Sequence, residues 1–307
     1  MSEECDNIPR MKKLLCTLMA CVCACTAQAE VWALRLPETG LMPSYAKASF
    51  MSRMHERHGG SHLGMQDYTL NIPFNDPRRS HLGSWYYSIQ GTATVSIMDV
   101  GGALDLSKDE LMVFGLPITL IHPVDARHKW MITVMPRFAG DGLESAHAWD
   151  LPVVVDYSVR HSEVLSYSVW IAASPRFAAY AAVPYVSFSW QATPEWLVRM
   201  HGFELAALYA VNSRLQVGPS LSVEGGTWMV DRPEGQRIFR VRSLAAAMRT
   251  EYNFAPAGKT KRLLSASVGS TLMTAAQICR RTADKDPIET RHYKPGLFVA
   301  LEVDFRF

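Results

Sequence analysis

Cysteine is almost missing from the body of this chain: five of its six cysteines (Cys5, Cys16, Cys21, Cys23, Cys25) fall in the first 25 residues, which leaves Cys279. A single thiol closes no intrachain disulfide, so no covalent staple substitutes for a core. A dominant charge is missing too, since 31 basic residues against 29 acidic ones leave a formal net charge of +2. That balance supplies no basic footprint for nucleic acid and no acidic tail, and nucleic acid is not an expected partner. Long apolar runs are absent after the first 25 residues, although 48% of the chain is hydrophobic. A spanning helix needs about 20 consecutive apolar residues, so any insertion into a membrane falls to strands. Sustained helical periodicity is scarce as well.

The opening residues have the layout of a secretory signal. Lys12 and Lys13 form a basic region, Leu14 to Cys25 an apolar one, and Ala27-Gln28-Ala29 a small-x-small cleavage site before Glu30. Residues 1–29 are therefore expected to be a signal peptide, with Met11 an alternative start after an acidic and polar decapeptide. A competing reading is Leu18-Met19-Ala20-Cys21, which has the form of a lipobox with Cys21 as the lipidated residue. The short apolar region before Cys21 favours cleavage at Ala27 and Ala29.

Beyond the signal, several segments alternate apolar and polar residues over the length of a barrel strand. In Trp85 to Ser96, Trp85, Tyr87, Ile89, Ala93 and Val95 share one face, opposite Tyr86, Ser88, Gln90, Thr92, Thr94 and Ser96. Leu215 to Glu224, Trp130 to Phe138 and Leu151 to Arg160 repeat the pattern. Turn-like clusters separate them at Asp125 to His128, Arg160 to Glu163, Thr193-Pro194-Glu195, Arg232 to Gln236, Ala255 to Lys261 and Asp284 to Thr290. The predicted strands are 66–74, 84–98, 110–122, 129–139, 150–159, 164–173, 178–190, 195–203, 213–227, 237–252, 262–276 and 294–307. Phe203 to Val211 and Val31 to Leu36 are two further candidates. The expected fold is all-β, an up-and-down antiparallel transmembrane β-barrel of about 12 strands (10–14). Residues 30–63 are expected to precede the barrel and 64–307 to form it.

At the C-terminus, Leu297, Val299, Leu301, Val303, Phe305 and Phe307 are apolar at period two, while Ala300, Glu302, Asp304 and Arg306 take the other face. This resembles the last strand of bacterial outer-membrane barrels, whose final aromatic residue and alternating apolar positions are the signal read by the assembly machinery. The mature chain also resembles a porin-like family of bacterial outer-membrane β-barrels, most clearly from Ala179 to Phe307. The resemblance implies a fold and an outer-membrane location only. It makes Phe305 and Phe307 the assembly signal, and outer-membrane lipid and the assembly machinery the partners. Alternation then places Arg137, Asp156, Arg160, Glu224, Arg240, Arg242, Glu302, Asp304 and Arg306 on the lumen side. The expected function is a small, weakly selective channel or a structural barrel, with a barrel enzyme or a soluble secreted β-sandwich as alternatives. Oligomeric state is not legible.

The residues that bear chemistry form no catalytic or cofactor motif. His55, Glu56, His58 and His62 offer metal-ligand types, but Gly59, Gly60 and Ser61 make that segment read as solvated. His161-Ser162-Glu163 has nucleophile and base types, yet adjacent turn residues point apart rather than forming a relay. Gly218, Gly225 and Gly226 lack the strand-to-helix context of a phosphate loop and read as strand and hairpin glycines. No cofactor and no resident metal are expected.

Overall fold

The computed structural model describes residues 44–76, 79–102, 104, 106–142, 148–174, 183–255, 262–280 and 287–305. The signal and its cleavage site, Val31 to Leu36, Arg306 and Phe307 lie outside them. The first strands are β1 (Ser44–His55), β2 (His62–Pro73), β3 (His81–Leu82) and β4 (Trp85–Gly101). Next come β5 (Glu110–Gly115), β6 (Ile118–Pro123), β7 (His128–Val134), β8 (Arg137–Gly140), β9 (Trp149–Asp150) and β10 (Val153–Arg160). β11 (Leu165–Ala173), β12 (Val183–Gln191), β13 (Trp196–His201), β14 (Glu204–Ala210) and β15 (Leu215–Val230) follow. The last are β16 (Arg237–Asn253), β17 (Arg262–Cys279), β18 (Pro287–Tyr293) and β19 (Leu297–Phe305). All belong to one sheet.

The sheet closes on itself. Antiparallel pairs run β1–β2–β4–β6–β7–β10–β11–β12–β13–β14–β15–β16–β17–β19 and return to β1. Five staves are interrupted (β2/β3, β5/β6, β7/β8, β9/β10 and β18/β19), so the barrel has 14 staves rather than about 12. Four of the interruptions fall at Pro117, Pro136, Pro152 and Pro295, where a residue without an N–H cannot extend the ladder.

The two staves beyond the twelve are β1, which is absent from the predicted strands, and β14, which falls within the candidate strand Phe203 to Val211, and both lack a clear alternation for visible reasons. β1 lies inside the 30–63 segment expected to precede the barrel, and it carries the closing contact, pairing Ser44 with Phe305 and Met51 with Phe298. A register shift between Met51 and Met54 sends both side chains into the core and breaks the period of two. β14 has buried Ala206 and Leu208 on one face and exposed Leu205 and Tyr209 on the other. Apolar on both sides, it shows no contrast to read.

The wall turns its apolar face outward. On β17, Leu264, Val268 and Leu272 are exposed while Ser265, Ser267, Thr271 and Thr274 are buried. From Leu264 to Leu272 the apolar positions cover the length of about 9–11 residues that a tilted membrane strand needs. Trp130, Tyr167, Trp190, Trp196, Tyr209 and Tyr252 stand exposed within a few residues of the tight hairpin turns. Two cross-strand ring pairs knit this girdle, Trp130–Tyr157 at 4.6 Å and Trp196–Tyr209 at 5.4 Å between centroids.

Candidate functional site: a cup with an apolar stopper

Three of the prolines set the shape of the lumen. Their carbonyls lie in a row across neighbouring staves: Gln90 N–H donates to Pro117, Leu116 N–H to Pro136 and Met135 N–H to Pro152. Beyond that row β5 and β8 pair with each other, Met112 with Gly140 through Gly115 with Arg137, and leave the path of β6 and β7. β8 reaches the far wall, where Gly140 pairs with Met229 of β15 in parallel. Asp141 N–H donates to the Met229 carbonyl at 3.2 Å, and the Asp141 carboxylate accepts from Asp231 N–H at 2.9 Å. An even number of chain reversals separates these staves, so they run the same way and their contact is parallel. The loop half of the barrel therefore contains a smaller ring, β1–β2–β4–β5–β8–β15–β16–β17–β19.

That ring is filled. Met51, Met54, Leu63, Met98, Leu111, Phe138, Trp228, Phe239, Ile278 and Phe298 form one buried apolar cluster inside it. Trp228 is 2% exposed, stacks on Phe239 at 6.0 Å and lies against Gly226, where a Cβ would come within 2.5 Å of the indole. At the adjacent Gly225 (φ 120°) a Cβ would meet the Val241 carbonyl oxygen at 2.2 Å, so only glycine fits. The glycines read from sequence as strand residues thus let the stopper seat.

The turn half is the opposite: a polar cup of about 890 Å³ that reaches the hairpin turns around Asp125, Glu163 and Arg214. Met135, Trp170, Phe203 and Trp228 are among its apolar lining residues. Hydroxyl pairs tie its staves, with Thr69–Thr94 at 3.0 Å and Thr119–Thr133 at 2.9 Å. Three groups of ionic side chains inside are matched. Lys47 reaches Glu224 at 3.0 Å. Arg199, Glu251, Arg249 and Glu204 form a closed four-membered ring, with Arg249–Glu251 at 2.6 Å and Arg249–Glu204 at 3.3 Å. Arg137 and Asp150 pair at 3.0 Å, fully buried, and Ser174 also donates to Asp150. Each pairing avoids the cost of an uncompensated buried charge, about 3–5 kcal/mol when one partner of a buried pair is removed.

Of the residues assigned to the lumen by alternation, Arg137, Arg160, Glu224 and Asp304 line the cup. Asp156 is 1% exposed and accepts from the Ser158 hydroxyl at 2.6 Å. Glu302 is buried and registers with Lys47 and Ser265. Arg240 and Arg242 pair with Thr227 and Gly225 of β15, and Arg240 is buried with its guanidinium 3.7 Å from the Cys279 sulfur. From β16 Glu251 lines the cup, with Arg249 paired to it at 2.6 Å. Arg249 and Glu251 went unassigned, although their spacing of two was the signal that could have found them. Lys47 and Arg199 also went unassigned, Lys47 because β1 itself was not recognised.

Phe305 registers with Ser44 and Arg262 at the closing seam. Among the described residues no three His, Cys, Asp or Glu side chains converge as metal ligands. Glu56 accepts instead from the Ser61 hydroxyl and from Arg291 at 2.9 Å, and His62 sits 3.2 Å from Asp99. Ser162 accepts from the backbone of Val164 and Leu165 in a turn, with His161 exposed beside it.

No family model and no curated protein matches the chain. Among solved structures it is similar to an outer membrane channel from Pseudomonas putida F1, at a TM-score of 0.43 and 11% identity over 86% of this chain and 94% of that one. The NanC porin gives 0.36 and 8% over 86% and 100%, and the Pseudomonas putida toluene transporter TodX gives 0.33 and 7% over 86% and 89%. None reaches a TM-score of 0.5, and the class of this protein, a closed antiparallel β-barrel with an apolar exterior, rests on its own wall.

Proposed function

We propose that this chain is an outer-membrane β-barrel whose resting form is a closed, low-conductance channel. One observation supports the membrane location above the others: a closed wall whose exposed face is apolar and edged by aromatic residues at the turn end. Hydrocarbon offers no partner for free strand N–H and C=O groups, and closure removes every edge. A soluble sandwich would bury that face instead. The cup, with its neutralised ion pairs, fits small solutes and little discrimination by charge, and the stopper explains why conduction at rest is low.

The test is recording in planar bilayers. The wild-type protein gives rare, small openings. Trp228→Ala with Phe239→Ala removes the centre of the stopper, at a cost of about 3–5 kcal/mol of stability for each aromatic, and raises single-channel conductance severalfold. Large stable openings in the wild type, or no change in the double variant, would refute a stopper that gates the lumen. Export is tested separately: N-terminal sequencing of the mature protein is expected to begin at Glu30, and an acylated Cys21 would replace that reading with a lipoprotein.

A further inference from the structure

The histidine-rich segment that forms no metal site has a different place in the barrel. Met54 and Leu63 pair across β1 and β2 and point into the stopper, so the next pair, His55 with His62, faces outward. Arg53 is exposed on the same outer wall, where it makes a two-pronged contact to Asp99 at 2.7 and 2.9 Å. Arg57 and His292 are exposed one step higher, joined through Arg57 N–H and the His292 carbonyl at 2.8 Å. Lys294 is exposed beside His55, whose carbonyl accepts from its backbone N–H at 2.9 Å. Among the described residues, the outer wall of β1, β2 and β18 at the loop end thus carries Arg53, Arg57, Lys294 and three histidines against one acid, Asp99.

The height of this group on the wall is as informative as its charge. Phe50 is 40% exposed on β1 and Leu297 50% exposed on β19, and these are outward residues of the apolar belt. Arg53 and Lys294 stand three residues further toward the loops on the same two staves. The switch from apolar to cationic therefore happens at one level on neighbouring staves, the level at which a bilayer passes from acyl chains to headgroups. Guanidinium and ammonium groups hold phosphate oxygens by charge-assisted hydrogen bonds, and each cation near an anionic surface is worth about 1 kcal/mol.

We infer that this outer face, Arg53, Arg57 and Lys294 with His55, His62 and His292, binds the phosphorylated headgroup of a glycolipid in the outer leaflet. The site rests on the outer-membrane reading above, because only that orientation sets the loop end among such headgroups. It is separate from the cup and from the stopper, and the acid inside the rim, Glu56, is turned away toward Arg291.

The experiment uses the full mature chain refolded into vesicles of neutral phospholipid alone, or with added diphosphorylated lipid A, or with lipid A stripped of both phosphates. The readouts are the temperature at which the heat-dependent gel shift is lost and the lipid retained by the purified barrel in mass spectrometry. Diphosphorylated lipid A raises the midpoint by several degrees and is retained; the phosphate-free form does neither. In R53Q/R57Q/K294Q, three lost contacts weaken retention by roughly a hundredfold, while folding in neutral vesicles is unchanged. Equal stabilisation by both forms of lipid A in the wild type would overturn the inference without recourse to the variant. Stabilisation by inorganic phosphate alone, to the same extent, would replace the lipid with a free anion. Failure of the wild type to insert into neutral vesicles would instead strike at the barrel reading itself.

Discussion

At the scale of single residues, the loop end is held by a small number of polar contacts whose strength depends on ionisation. Glu56 accepts from the Ser61 hydroxyl and backbone and from Arg291, and the Ser61 hydroxyl, followed by the arginine, holds its carboxyl below the usual carboxylate range. A depressed carboxyl contributes stability that is fully present above its unfolded pKa and is lost as pH falls through the folded one. The turn from Glu56 to Ser61 is therefore expected to keep its amide protection at neutral pH and lose it in acid, below the ordinary glutamate pKa of about 4.3. Hydrogen exchange at residues 57–60 checks this. In Glu56→Gln the pH dependence flattens, and an unchanged acid profile would assign the titration to another group.

At the scale of strands, the proline row decides which staves stay in the wall. Pro117, Pro136 and Pro152 each place a carbonyl without an accompanying N–H at the same height on consecutive staves, and β5 and β8 depart there for β15. Restoring the missing donors with Pro117→Val, Pro136→Val and Pro152→Val permits continuous ladders along β5/β6, β7/β8 and β9/β10. The parallel Gly140–Met229 contact then competes with a straight wall. The triple variant is expected to conduct more than the wild type, in the direction of the Trp228→Ala and Phe239→Ala change. Conductance equal to that of the wild type would mean that packing of Phe138 and Trp228 bends the wall without help from proline. The strands also show what sequence alternation detects: it found β4, β10, β15 and β19, where one face is polar and the other apolar. It missed β1, whose register shift breaks the period, and left β14 only as the further candidate Phe203 to Val211, because its two faces are both apolar.

At the scale of the whole barrel, selectivity follows from how the lumen charges are shared. Arg137, Lys47 and the Arg199–Glu251–Arg249–Glu204 ring are internally compensated, so the field left for a passing ion is weak. Asp304 lines the cup, and the buried Glu302 lies two residues before it on β19. Glu302→Gln with Asp304→Asn is expected to move the residual permeability ratio toward anions by a modest factor, measured as a reversal potential across a salt gradient. Absence of any movement would show that ions do not pass along the β19 wall.

The sequence by itself determined the class of the molecule. A period of two over many short segments, a shortage of helical repeat and an alternating C-terminal strand point to a sheet with one apolar and one polar face, and for five staves they say which residue faces which way. Only the tertiary structure decided the number of staves and the interior. Whether a lumen is open depends on contacts between staves far apart in the chain, such as Gly140 with Met229 or Lys47 with Glu224, which leave no local period to read. The histidine segment shows the same division: its residue types were visible at once, but the pairing of His55 with His62 turned them outward.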